Sequence, residues 1–197
     1  MSEPSFADVI AQVERDFGIA IERSAPKSLS GIPETLRPLY EFSDGLTLPF
    51  GEIYKAADCD RTTDPGWVTF GFDYYFSFFL CHESDRLAFT TWDHDSRTRI
   101  EGVYASALEW LIAEYEGYIA ADTRENSVHI VQIPCAAAKT SLIAELKRVS
   151  EKSTGELLAL MRSGSFVVEN VIRSDAFHVV RALQGLGVKC HVVCDIW

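Results

Sequence analysis

Long apolar runs are missing from this 197-residue chain, and none approaches the about 20 residues that cross a bilayer. The opening Met1-Ser2-Glu3-Pro4-Ser5 has neither the basic nor the apolar segment of a secretory leader, so the expected compartment is the cytoplasm. Cysteine is sparse, odd in number and widely spaced, at Cys59, Cys81, Cys135, Cys190 and Cys194. That pattern makes a poor disulfide framework and fits small buried apolar residues in a reducing environment. Basic residues are scarce in the first 125 positions, which carry a net charge of −13, whereas the rest carries +2 and the whole −11. So few cations exclude nucleic acid as the partner of the first part, because phosphate binding needs concentrated Lys and Arg. The change of sign places a domain boundary near residue 125. Also lacking are a glycine-rich phosphate loop, a His-Glu-x-x-His pair, paired-cysteine zinc spacing and a nucleophile elbow. The expectation is a protein that is not an enzyme and holds no cofactor.

What is present is an ordinary globular composition, 47% hydrophobic and 24% charged, which rules out disorder. Ser5-x-x-Asp8 opens a helix whose apolar face is Phe6, Val9, Ile10, Val13 and Phe17, and Gly18 stops it. A second helix begins at Ser30-Gly31-Ile32-Pro33, with proline at the first helical position, and ends at Ser43-Asp44-Gly45. Pro38 inside it predicts a kink or break, since it has no N–H to donate. Ten of the 26 residues from Trp67 to Trp92 are aromatic, in runs 67–72, 76–81 and 87–92. These read as antiparallel strands with large inward side chains. Stacking on bases is the rejected alternative, because the neighbours Asp73, Glu83, Asp85, Asp93 and Asp95 repel phosphate. A turn at 97–102 and a helix capped by Ser106-x-x-Glu109, with Leu108, Leu111, Ile112 and Tyr115 inward, complete a domain over 1–120.

Residues 121–126 are the expected linker, in a weakly patterned stretch that begins at Gly117. A second domain over 127–197 then reads β-α-α-β-α-β: strand 128–133, helix 138–150, a Ser153-x-x-Glu156-capped helix to Gly164, strand 166–172, helix 174–183 and strand 188–196. Its first two helices carry Leu142, Leu146 and Val149, then Leu157, Leu158 and Met161. The predicted class is α+β, with a small sheet in the second domain covered by helices on one face. Lys139, Lys147, Arg148 and Lys152 form a cationic helix that suits either solvent or an acidic partner.

Two clusters need weighing for chemistry. Asp93-His94-Asp95 has the residue types for base catalysis or a metal, but on a strand His94 faces away from both acids, so a surface turn is preferred. Cys190-His191-x-x-Cys194 fails as a metal site by the same alternation. His82, His129, His178 and His191 read as structural histidines.

The segment from Ile32-Pro33 through Leu36, Leu39 and Tyr40 to Asp44-Gly45, then Trp67–Gly71, Leu87–Asp93 and the helix over 106–115, resembles the SUKH superfamily (the Smi-one/Knr-four family) across about residues 5–117. Pro33, Gly45 and Trp92 are the matching positions, whereas Pro38 and the short aromatic middle strands depart from the commoner pattern. The resemblance implies an α+β fold without an active site. It also implies a binding role: bacterial members are often immunity proteins against toxins, many of them nucleases, and fungal members are regulatory scaffolds. Residues 127–196 are similar in element order to the C-terminal domain of the ribosomal stalk protein. That domain's lysine- and glycine-rich helix pair is not reproduced around Ser153–Met161, so only the fold is implied. The expected partner is therefore a basic protein such as a toxin, met without membrane or nucleic acid. From charge and expected exposure, the candidate contacts are Asp44, Asp73, Asp93, Asp95 and Glu101. The alternative is a regulatory or scaffold module that recruits a partner through its second domain.

Overall fold

The computed structural model describes residues 4–25, 28–61, 66–74, 77–83, 89–93, 98–99, 103–121, 126–133 and 136–194, with the backbone alone at 98–99 and 136–139. The chain is α+β and divides into two compact units. One comprises Met1–Ala11 with Ala20–Glu116, the other Gln12–Ile19 with Gly117–Trp197. Both divisions fall inside helices, α1 (Phe6–Phe17) and α3 (Ala107–Ala120).

In the first unit, α1 starts at the expected cap. The Ser5 hydroxyl accepts from the Asp8 N–H at 3.3 Å and the Asp8 carboxylate accepts from the Ser5 N–H at 2.9 Å. Pro33 is not the first helical residue as expected; its extended ψ of 143° makes it the residue before a 3-10 turn, Glu34–Leu36. A new helix, α2 (Arg37–Phe42), then begins with Pro38 in its first turn, where no N–H is needed. The expected break is thus realised as a helix start.

Among the described residues, six strands follow as an antiparallel meander in sequence order: β1 (Leu46–Leu48), β2 (Gly51–Ile53), β3 (Trp67–Asp73), β4 (Ser77–His82), β5 (Phe89–Asp93) and β6 (Thr98–Arg99). The aromatic runs supply β3 to β5. β1 and β2 were absent from the sequence reading, and β6 replaces part of its turn at 97–102. Gly51 and Gly71 let Phe79 lie flat on the sheet, since a Cβ on Gly51 would come within 2.9 Å of that ring and one on Gly71 within 2.8 Å.

The inward face of α3 is Ala107, Trp110, Leu111 and Tyr115. Leu108 and Ile112, expected inward, are only half-buried, because a helix apolar on nearly every side has no unique face and Trp110 takes the core. The helix also runs through 117–120, where weak patterning had suggested its end.

The second unit has the expected element order: β7 (Asn126–Gln132), α4 (Ala136–Val149), α5 (Thr154–Met161), β8 (Phe166–Val171), α6 (Arg173–Gly185) and β9 (Lys189–Cys194). Asn126, expected in the linker, is the first strand residue and is buried. β7 is central, antiparallel to β8 and β9. One sheet face, with Val128, Ile130, Val168, Cys190 and Val192, is buried, and α6 packs along β7 and β9 beside α4. The other presents Ser127, His129, Val131, Val167, Glu169, His191 and Val193, none of them buried. Leu158, expected inward, is 44% exposed, one position off the Leu157–Met161 stripe.

A carboxylate that periodicity assigned no role is the best-buried acid of this unit. Asp16, fully buried, accepts Nε and Nη2 of Arg181 at 2.9 and 2.8 Å and the Gln12 amide at 2.7 Å. Phe17 meets Phe177 edge-on at 5.1 Å. Arg173 is buried over the Tyr118 ring at 4.1 Å and donates to Asn126 and to the Tyr118 carbonyl.

Candidate functional site

A cleft lies in the first unit, where short elements bring carboxylates around an open volume of about 560 Å³. Its floor begins at the turn after α2. Ser43, fully buried, accepts from the Ser24 N–H at 3.2 Å and donates to the Gly45 carbonyl at 2.9 Å. The Asp44 N–H donates to the Ser24 carbonyl at 2.7 Å, which ties the segment after α1 to this turn. Gly45 has φ +85°, and a Cβ there would come within 3.1 Å of the Ile53 carbonyl, so the Asp-Gly turn needs glycine. Asp44 then caps the 3-10 turn Ala56–Asp58 by accepting the Ala56 N–H at 2.8 Å.

Around this frame stand Glu22, Glu52 and Asp58 beside Asp44, with Arg23 and Lys55 as the cations. Arg23 is held over the Phe42 ring at 4.9 Å. Glu52 projects outward from β2 because Gly51 and Ile53 on either side of it are buried. Burial, then the negative charges of Glu52 and Asp60, raise the pKa of Tyr54, which also lines the cleft. Among the described residues, four carboxylates against two cations suit a cationic group such as a lysine or arginine side chain.

Of the expected contact residues that are described, only Asp44 belongs to this cleft. Asp73 accepts the Ser77 N–H at 2.7 Å and closes the β3–β4 turn, while Asp93 pairs with Ser77 and Thr98. Both lie in the strand row of Leu48 and Gly51, at the opposite end of the sheet from Asp44. All three are half-buried rather than exposed as expected, and two of them serve the backbone. Asp95 and Glu101 lie outside the described residues, as does His94. Among the matching positions, Pro33 is buried and Trp92 is a half-buried member of β5 that pairs with Phe78. Sequence reasoning missed Glu22, Glu52 and Asp58. The Leu46–Leu48 and Gly51–Ile53 alternation around Pro49-Phe50 was the available signal for Glu52.

Tyr40, under the cleft, donates to the Tyr54 carbonyl at 3.0 Å and lies 2.9 Å from the Cys59 sulfur. Burial raises the Cys59 thiol, takes Cys81 to about 11 and, in the second unit, takes Cys190 to about 12. Cys81 and Cys190 are therefore thiols, not thiolates, at neutral pH. Both are expected to resist iodoacetamide at pH 7.5 in the native protein and to react in denaturant, as read by intact-mass spectrometry. Rapid native labelling of either would contradict their burial.

No helix among the described residues is long and apolar enough to cross a membrane. No family model, no curated protein and no solved structure matches this chain.

Proposed function

We propose that this chain is a non-enzymatic protein-binding protein of the immunity type, which neutralises a toxin by covering the toxin's basic surface. The observation that carries the reading is the carboxylate-lined cleft within the part of the chain that bears the −13 charge. A nuclease toxin exposes a cationic cleft for phosphate, and an acidic partner meets it with electrostatic steering and side-chain pairing. The resemblance of residues 5–117 to the SUKH superfamily supports the same class, and the proposed setting is the cytoplasm, without cofactor.

The test is co-expression with the product of the adjacent gene, scored by growth and by isolation of a tight complex. Within that complex, Glu22→Lys and Glu52→Lys are expected to weaken binding about tenfold each and to flatten its salt dependence. Neither carboxylate caps a turn, so the variants read binding rather than folding. Unchanged affinity removes the cleft from the interface, and a harmless neighbour removes that toxin.

A second reading, a scaffold that recruits a partner through the second unit, is favoured by Val131 and Val167, 50% and 38% exposed on the open sheet face. It predicts partner capture that is lost in Val131→Glu and Val167→Glu. The full chain is the material for that test. A fragment beginning at Asn126 lacks Asp16, Phe17 and Tyr118, which complete this unit.

A further inference from the structure

On the open face of the three-stranded sheet, register brings together two histidines that are 62 positions apart in the chain. His129 on β7 stands directly opposite His191 on β9, with ring centroids 5.3 Å apart. We infer that this pair is a two-imidazole seat for a divalent transition-metal ion of the zinc, nickel and copper class.

The spacing is the first argument. An ion about 2.1 Å from one nitrogen of each ring, at a tetrahedral angle, sets the two centroids roughly 5 Å apart. The second argument is preparation of the rings. His129 Nε2 lies 3.2 Å from the Ser127 hydroxyl, and donation to that oxygen leaves Nδ1 with its lone pair. His191 is packed against Gly18, whose φ is +64°; a Cβ there would come 2.5 Å from the imidazole Cγ, so the missing side chain makes room for the ring.

The neighbouring cysteines do not enter. Cys190 and Cys194 are buried on the other sheet face, as strand alternation requires. Among the described residues there is no cluster of three or more metal-ligating side chains. The seat thus supplies two ligands, and water or a partner's donor supplies the rest. Such a site binds reversibly, unlike a closed four-ligand structural zinc.

The full-length protein is titrated separately with zinc chloride and nickel chloride, while histidine side-chain resonances and heat of binding are followed. One equivalent of saturable binding is expected, with His129 and His191 signals moving together. His129→Gln and His191→Gln should each weaken it at least about tenfold. His178→Gln, on the exposed side of α6, should leave it unchanged. No saturable binding, or binding that survives both substitutions, overturns the inference. Should either variant unfold, the wild-type spectrum decides: metal-dependent shifts confined to other histidines reject the seat.

Discussion

Trp110→Ala is expected to destabilise the first unit by about 3–5 kcal/mol, the range for deleting a large aromatic side chain from a core. The side chain is fully buried, with Phe70 and Phe79 edge-on at 4.9 and 4.7 Å. Its indole N–H donates to the Thr91 hydroxyl at 3.3 Å, and that hydroxyl in turn donates to Glu114. Truncation leaves a cavity and removes the donor at once. Trp110→Phe separates the two effects: it keeps most of the packing, so its smaller cost, about 1 kcal/mol, reports mainly the hydrogen bond. Because a chain of two units need not unfold in one step, amide exchange of β3 and β4 is the appropriate measure. A loss below about 1 kcal/mol for the alanine variant would show that this cluster is not the centre of the core.

Arg181→Met carries the second large effect, in the other unit. Asp16 is fully buried and its Oδ2 receives two guanidinium N–H groups, whereas the Arg181 side chain is 43% exposed. Removing the cation leaves a carboxylate that cannot regain water without opening the structure. The expected cost is about 3 kcal/mol, the low end for a broken buried pair, because part of the guanidinium is already hydrated. Asp16→Asn should relieve the penalty, so the Asp16→Asn/Arg181→Met double variant is expected to be more stable than Arg181→Met alone. Chemical denaturation of the four proteins in the cycle measures the coupling. A double variant no better than the single would place the loss in side-chain packing instead.

Local chemistry was easily read from the sequence. Two hydroxyl–carboxylate caps, at Ser5/Asp8 and Ser153/Glu156, form reciprocal backbone bonds, and at the third the Ser106 hydroxyl accepts the Glu109 N–H while the Glu109 carboxylate accepts the Ala105 N–H, since all partners lie within about one turn. The three aromatic strands and the order of the second unit were legible for a similar reason, as each element is long enough to show a period. β1 and β2, three residues each, are too short for that, and the outward position of Glu52 was hidden with them. Asp44 was visible through its turn, but its carboxylate was claimed by the backbone of a segment twelve residues away. The burial of Asp16 was beyond any local pattern. An acid near the end of an amphipathic helix looks solvated until the partner, 165 positions later, is known.

That separation also sets a timetable for synthesis. The last turn of α1 is translated well before its partners on α6, Phe177 and Arg181, which lie about 160 positions further along the chain. At about 5–20 residues per second, Asp16 and Phe17 wait roughly 10–30 s for Phe177 and Arg181. During that interval an apolar ring and an unneutralised acid are exposed on the nascent chain, which is where a chaperone would find its grip.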